Sequence, residues 1–222
     1  VLALAWGSTL EVVRVRQPAL VVAGIGPDAM PLPLPENDEH SERRAELRLR
    51  AAISGFPDER ASVRTIKGWP VHELLEQASS DADLLVLGTH GYAGLDRALH
   101  GSIAEAVVRR CRAPVLALRA SNVPFKATRI LAPWNGRPYA TRALRYARLL
   151  AHSLGAELHV LHVVPSGLSI DETEPWLGRR IESILGPGRE PGWSLRVRIG
   201  EARAHIMQEA NSGRYGLVVV SA

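Results

Sequence analysis

The residues best placed to do chemistry in this chain are glycines. Gly88, Gly91, Gly94 and Gly101 share one stretch, Asp83 to Arg119, and the spacing from Gly88 to Ser102 is Gly-x2-Gly-x9-Gly-Ser. Glycine lets a backbone approach an anion and adopt positive φ, and the first amides of a helix lack carbonyl partners, so such a stretch ahead of a helix suits a phosphate group. The Ser102 hydroxyl adds a donor at the same mouth. The plainer alternative is that the glycines only shape a turn and Ser102 only caps a helix, as in any doubly wound fold. His90 has no second His, Cys or carboxylate beside it at metal spacing, so it reads as a polar loop residue.

Elements must hold these residues. Leu84 to Leu87 is an apolar run that predicts a strand buried on both faces, leading straight into the glycines. Ile103, Ala106, Val107 and Cys111 recur at helical spacing, with Arg109, Arg110 and Arg112 in the last turn, where cations suit the negative end of the dipole. Pro114 stops that helix, and Val115 to Leu118 predicts the next strand.

The same order occurs twice. Leu2 to Val15 reads like Leu150 to Val163, with Gly7 matching Gly155, and the stretch from Ile66 matches that from Arg198. Gly68 then faces Gly200, Ala78 faces Ala210, and Leu84 to Leu87 faces Leu217 to Val220, which indicates a tandem duplication with its seam near Ser121 to Thr128. In the first copy a helix end stopped at Gly7 and a strand to Val15 are followed by a long loop from Gln17 to Asn37. A helix from His40 to Ser54, a strand from Ser62 to Ile66 and a helix opened by Pro70 come next. The second copy predicts strands at Arg129 to Pro133, Glu157 to Val164, Ser194 to Ile199 and Leu217 to Val220. Its helices are predicted after Pro138, at Pro175 to Leu185 and at Ala202 to Asn211. Alternating strands and helices imply parallel sheets with right-handed crossovers, and ligands outside the carboxyl ends of the strands.

The glycine spacing, with His90 and Gly94 inside it and a strand and helix around it, resembles the nucleotide loop of the universal stress protein family, Gly-x2-Gly-x9-Gly-(Ser/Thr). The resemblance covers almost the whole chain as two tandem domains, 1–120 and 127–222. It implies an α/β fold of two doubly wound parallel-sheet domains, Rossmann-like and similar to the adenine nucleotide alpha hydrolases. It further implies ATP as ligand, with or without Mg2+. The phosphates would lie on the segment carrying Gly88, Thr89, His90, Gly91, Gly94, Gly101, Ser102 and Ile103, and the adenine beside Val15, whose counterpart is Val163. In the second copy Pro133 ends the first strand and Asn135 stands where family members carry Asp; an amide keeps hydrogen bonding there but brings no charge. Against the family pattern, the first copy is expected to miss its opening strand. The second is expected to miss its glycine loop, last helix and last strand, with Ser221 where Gly88 stands in the first.

The resemblance also implies a cytoplasmic regulatory module of stress survival with no catalytic residues, slow ATP hydrolysis being the enzymatic alternative. Pairing is expected through last strands, Pro114 to Arg119 in the first copy, within one chain or between two. The other reading is a dimerising scaffold of the same fold that binds no nucleotide.

Bulk properties narrow the classes. The chain has 222 residues, 46% of them hydrophobic, and a net charge of +4. Its basic residues are scattered, with no run of about five or six like charges and few aromatics, so no nucleic-acid partner is expected. The longest apolar run near the start, Ala19 to Ile25, is too short to span a bilayer, so no membrane is expected either. A single cysteine, Cys111, excludes an internal disulfide. His159 and His162 lie three apart on one strand and therefore on opposite faces, which argues against a shared metal. Trp69, Trp134, Trp176 and Trp193 fall near element ends and read as packing or interface residues.

Overall fold

The computed structural model describes residues 2–18, 20–23, 30–33, 39–80, 82–88, 102–118, 125–187 and 192–221. It divides into two compact units, Gly7–Asn122 and Val123–Ala222, with Leu2 and Leu4–Trp6 grouped with the second. Both are α/β units with parallel strands and flanking helices.

Short helix α1 (Leu2–Ala5) ends before Gly7, which takes the left-handed conformation at φ +64°. In unit 1 the alternating sequence of β1 (Leu10–Arg16) pairs in parallel with β4 (Ala61–Lys67), Leu10 opposite Ala61 and Arg16 opposite Lys67. The stretch from Gln17 to Asn37, expected as a loop, instead carries an antiparallel ribbon, β2 (Leu20–Ala23) on β3 (Met30–Pro33). Its prolines are compatible with pairing because Pro31 and Pro33 fall at alternate positions, so both missing N–H groups belong to one edge of the strand. Helix α2 (Glu39–Ala52) is rich in strong helix formers, with an Arg50 to Glu46 ion pair at 3.0 Å, and its Glu42 pairs with Arg16 of β1. Helix α3 (Pro70–Ser80) opens on Pro70, whose absent N–H would have no partner at a first position. Strand β5 (Leu85–Gly88), helix α4 (Ser102–Arg110) and strand β6 (Val115–Leu118) follow, with β5 and β6 paired in parallel.

The parallel strands of unit 1 fall into two separate pairs, β1 with β4 and β5 with β6. The consequence is thin burial. No residue of these four strands is fully buried, and the buried apolar residues of the unit, among those described, are Ala78, Ala104 and Val107. The expectation that Leu84 to Leu87 is buried on both faces is corrected here, since Val86 is 50% exposed. On α4 the buried stripe runs through Ala104 and Val107, while Ile103 faces out.

Unit 2 is closed where unit 1 is not. Strands β7 (Arg129–Pro133), β8 (Glu157–Val164), β9 (Trp193–Ile199) and β10 (Leu217–Val218) form one parallel sheet in the order β10-β7-β8-β9. Helices α5 (Pro138–Leu154) and α6 (Ile170–Leu185) cover the face that carries Ile130, Ala132, Leu158, Val160 and Val197, and supply Leu144, Ala147, Ala151, Leu177 and Ile181 to one core. Leu2 and Trp6 pack against that core, and the Trp6 indole donates to the Ser153 hydroxyl at 2.5 Å. Helix α5 ends at Gly155, left-handed at φ +62°.

Helix α6 begins at Ile170, ahead of Pro175, which lies inside it. The first turn is secured without the proline: Asp171 and Glu172 sit at the positive end of the dipole, and the Thr173 hydroxyl donates to the Ser169 carbonyl at 2.6 Å. Helix α7 (Ala202–Ala210) is capped by the Glu201 carboxylate, which accepts from the amides of Arg203 and Ala204 at 2.8 and 2.6 Å. Strand β10 is shorter than the predicted Leu217 to Val220. Just before it, a Cβ at Gly216 would lie 2.5 Å from the Lys126 carbonyl oxygen and 2.7 Å from the Ala127 Cα, so backbone packs directly on backbone. Among the described residues no helix is long and apolar enough to cross a membrane.

Candidate functional site

The glycine segment of unit 1 is bracketed by well-defined elements. Strand β5 ends on Gly88 and α4 starts on Ser102. Thr89, His90, Gly91, Gly94 and Gly101 lie outside the described residues. A Cβ at Gly88 would meet nothing within 4 Å, and Ser102 and Ile103 are both exposed, so the described ends of the segment are open. One turn on, Glu105 accepts from Arg109 at 2.8 Å. Val15 is half-buried near the end of β1, opposite Ile66 of β4. Val15 and Gly88 therefore belong to different strand pairs.

In unit 2 the expected residues do come together, at the carboxyl ends of two adjacent strands. Pro133 closes β7 opposite Leu161 of β8, Asn135 follows it, and Val163 lies two residues beyond Leu161. Asn135 is already engaged: its Oδ1 accepts from the Arg137 amide at 3.1 Å, and its Nδ2 donates to the Tyr139 hydroxyl at 3.2 Å. Gly136 between them is left-handed at φ +80°. This is the local side-chain bonding by which Asn favours a turn at a helix start, and it fixes the entry into α5.

Two neighbours, Trp134 and His162, entered the sequence reading only as a packing tryptophan and a strand histidine, not as site residues. The buried Trp134 indole donates to Thr141 at 3.1 Å, and the His162 ring meets the Trp134 carbonyl through Nδ1 at 2.7 Å and tilts against the indole at 5.8 Å. Burial pushes the His162 pKa below its usual value, against the opposing pull of that carbonyl. The sequence signal was weak, an aromatic after a strand and a His on the facing strand. Of the other tryptophans expected to pack, Trp193 does, whereas Trp69 and Trp176 are 53% and 58% exposed.

A second polar cluster lies on the opposite face of the sheet. Glu209 of α7, only 6% exposed, accepts from Arg196 at 2.9 Å and from Arg214 at 2.7 Å. Burial works to raise the Glu209 pKa, but the Arg196 hydrogen bond and the charges of Arg196 and Arg214 outweigh it and hold the carboxyl below its usual value. Alongside, His159 contacts the Tyr215 hydroxyl at 3.3 Å and Glu157 at 3.5 Å, and Glu157 accepts from Arg129 at 3.1 Å. His159 and His162 thus have separate partners on separate faces. Among the described residues no three His, Cys, Asp or Glu side chains gather as a metal site.

Comparisons with known proteins agree with this architecture. Over 55 residues the chain is 44% identical to a universal stress protein of Methanocaldococcus jannaschii, a match covering 24% of this chain and 32% of that protein. Over 113 residues it is 35% identical to a universal stress protein A homolog of Coxiella burnetii, covering 50% of this chain and 76% of that one. A universal stress protein of Mycobacterium tuberculosis is 34% identical over 84 residues, which cover 36% of this chain and 28% of that protein. The match thus spans about a third of the archaeal and mycobacterial relatives. Among solved structures, a universal stress protein of Archaeoglobus fulgidus superposes with a TM-score of 0.62 at 21% identity, over 84% of this chain and 71% of that one. A functionally unknown protein of Pseudomonas aeruginosa gives 0.64 at 16% identity, over 98% and 73%. At such identities the likeness speaks to fold alone. The model of the universal stress protein family matches residues 1–119 and again 126–222, the same two halves that repeat each other in sequence, and on that double match the chain belongs to the universal stress protein family.

Proposed function

We propose that this chain binds an adenine nucleotide, ATP, and acts as a regulatory module of the stress response rather than as an enzyme. We assign its two domains to residues 1–120 and 127–222. In this reading the amides around Gly88, Thr89, His90, Gly91, Gly94, Gly101, Ser102 and Ile103 hold the phosphates, the Ser102 hydroxyl reaches the outer one, and the base lies beside Val15. Mg2+ enters only as the companion of the phosphate oxygens. What supports the reading is one arrangement: a strand ending on Gly88 and an open helix start at Ser102, at the two ends of the family's glycine spacing. Unpartnered amides at a helix start, aimed from a glycine segment, favour an anion.

Unit 2 supports a second reading, a scaffold half that binds no nucleotide. Its Asn135 side chain is occupied by Arg137 and Tyr139, and it carries no carboxylate at that position. Pairing through the last strands, in the cytoplasm, belongs to both readings; among the described strands β6 pairs with β5.

Titration of labelled ATP into the chain and into Gly101→Asp tests the first reading. The expected result is saturable binding by the parent and at least about tenfold weaker binding by the variant, since an acidic side chain would repel phosphate where glycine admits it. Equal binding by the two proteins, or none by the parent, overturns it.

A further inference from the structure

Each unit ties a strand to the helix that follows it with an arginine, and the two versions differ in one informative way. In unit 1 the Arg64 side chain, from β4, pairs with Glu11 of β1 at 2.9 Å and donates to the Gln77 side-chain carbonyl of α3. Aligning the repeat on Gly7 with Gly155, Gly68 with Gly200 and Ala78 with Ala210 puts His159 at the position of Glu11, Arg196 at that of Arg64 and Glu209 at that of Gln77. In unit 2 the arginine again joins strand to helix, Arg196 donating to Glu209 at 2.9 Å. The carboxylate stands on the strand in unit 1 and on the helix in unit 2, where a histidine takes the strand position.

Counting donors and acceptors decides what that histidine can do. The Glu209 carboxylate, between Arg196 and Arg214, can only accept, so the Tyr215 hydroxyl that is hydrogen-bonded to it gives its single proton there. The Tyr215 oxygen is thereby left as an acceptor toward His159 Nδ1, 3.3 Å away, and the two rings meet edge to face with centroids 5.5 Å apart. On its other side His159 Nε2 faces a Glu157 carboxylate oxygen at 3.5 Å, again an acceptor only. A neutral imidazole has one N–H for these two acceptors, and the imidazolium has two. The other charges around the ring are Arg129 of β7, bound to Glu157, with Arg196 of β9 and Arg214 of the turn before β10, both bound to Glu209. Each guanidinium thus already has a carboxylate partner. His162 points to the opposite face, toward Trp134.

We propose that His159 makes the unit 2 clamp acid-responsive: on taking a second proton from water it bridges Glu157 and Tyr215. The bridge ties the start of β8 to the turn ahead of β10 and, through Glu209, to α7. When neutral, His159 gives up one of the two contacts. In unit 1 the same three positions hold Glu11, Arg64 and Gln77, side-chain types that keep their charge where an imidazole changes its own. The inference is independent of nucleotide binding.

The test follows the ring nitrogens of isotope-labelled histidine by NMR in the whole chain between pH 8 and pH 5.5. Native-state exchange is read at the Gly216 amide, which donates to the Arg129 carbonyl at 3.1 Å. His159 is expected to pass from one protonated ring nitrogen to two. Protection of Gly216 in the parent, divided by that in His159→Gln at the same pH, should be at least about threefold greater at pH 5.5 than at pH 8, the size of a half-exposed ion pair. Dividing by the variant removes the contribution of His162, which both proteins share. With Tyr215→Phe added to both proteins, which keeps the ring and removes the oxygen, the ratio should stay flat. The β1 amides of unit 1 should not distinguish parent from variant at either pH. A His159 ring still neutral at pH 5.5, a flat Gly216 ratio in the parent comparison, or a rise that survives Tyr215→Phe overturns the proposal.

Discussion

Glu209 is a buried carboxylate held between two guanidinium groups, and removing it leaves Arg196 and Arg214 without their counter-charge. Glu209→Ala should cost about 1–3 kcal/mol of stability, read as a lower urea midpoint with an unchanged slope. Because its folded pKa lies below the ordinary carboxylate value, its contribution is complete above the unfolded pKa and is lost as pH falls through the folded one. His162 acts at milder acidity. Its folded pKa is also depressed, so the unfolded chain takes up the proton first, and stability falls as pH drops below the ordinary histidine value of 6.5. Urea midpoints at pH 8 and pH 5.5 should differ less for His162→Gln than for the parent. Neither residue could be ranked in advance. Glu209 lies on a helix, and its arginines come from a strand and a turn that only the fold brings near. Asn135 is the reverse case: its position could be read from the repeat, and its engagement with Arg137 and Tyr139 depends on local backbone geometry that spacing does not carry.

Helices and strands are where periodicity spoke most directly. Strands β7 and β8 run as predicted, because each is a short, mostly apolar run between clear breakers. The helix predicted after Pro138 is α5, and Ala140, Leu144, Ala147, Leu150 and Ala151 form its buried stripe. The misses came where proline dominated the reading. Prolines made the ribbon β2–β3 look like a loop, and Pro175 made α6 look shorter than it is, because side-chain bonding and dipole placement at Ser169 to Thr173 are weaker signals in a sequence. Helix α6 also allows a direct test of packing. Ile181 is fully buried in the unit 2 core, so Ile181→Ala should destabilise by about 2–5 kcal/mol. Ser183→Ala, on the exposed face of the same helix, should stay within about 0.5 kcal/mol by thermal unfolding.

The duplication was legible in full, but the difference in finish between the copies was not, since it arises from how strands are paired and not from their composition. Unit 2 has one sheet of four strands and a contiguous core; unit 1 has paired strands without a fully buried residue among them. Local stability follows burial and backbone protection, so native-state hydrogen exchange should be slowest in β7 and β8 and at least about tenfold faster in β1 and β5. Urea should accordingly unfold the chain in two steps, unit 1 first, a behaviour that a single spectroscopic midpoint would hide. In unit 2, Gly216 meets Lys126 and Ala127 main chain to main chain, leaving no space even for a methyl group. The first and last segments of that unit are therefore stitched together at a point where evolution has a single letter to use, and a saturation library at this codon should return glycine alone among folded clones.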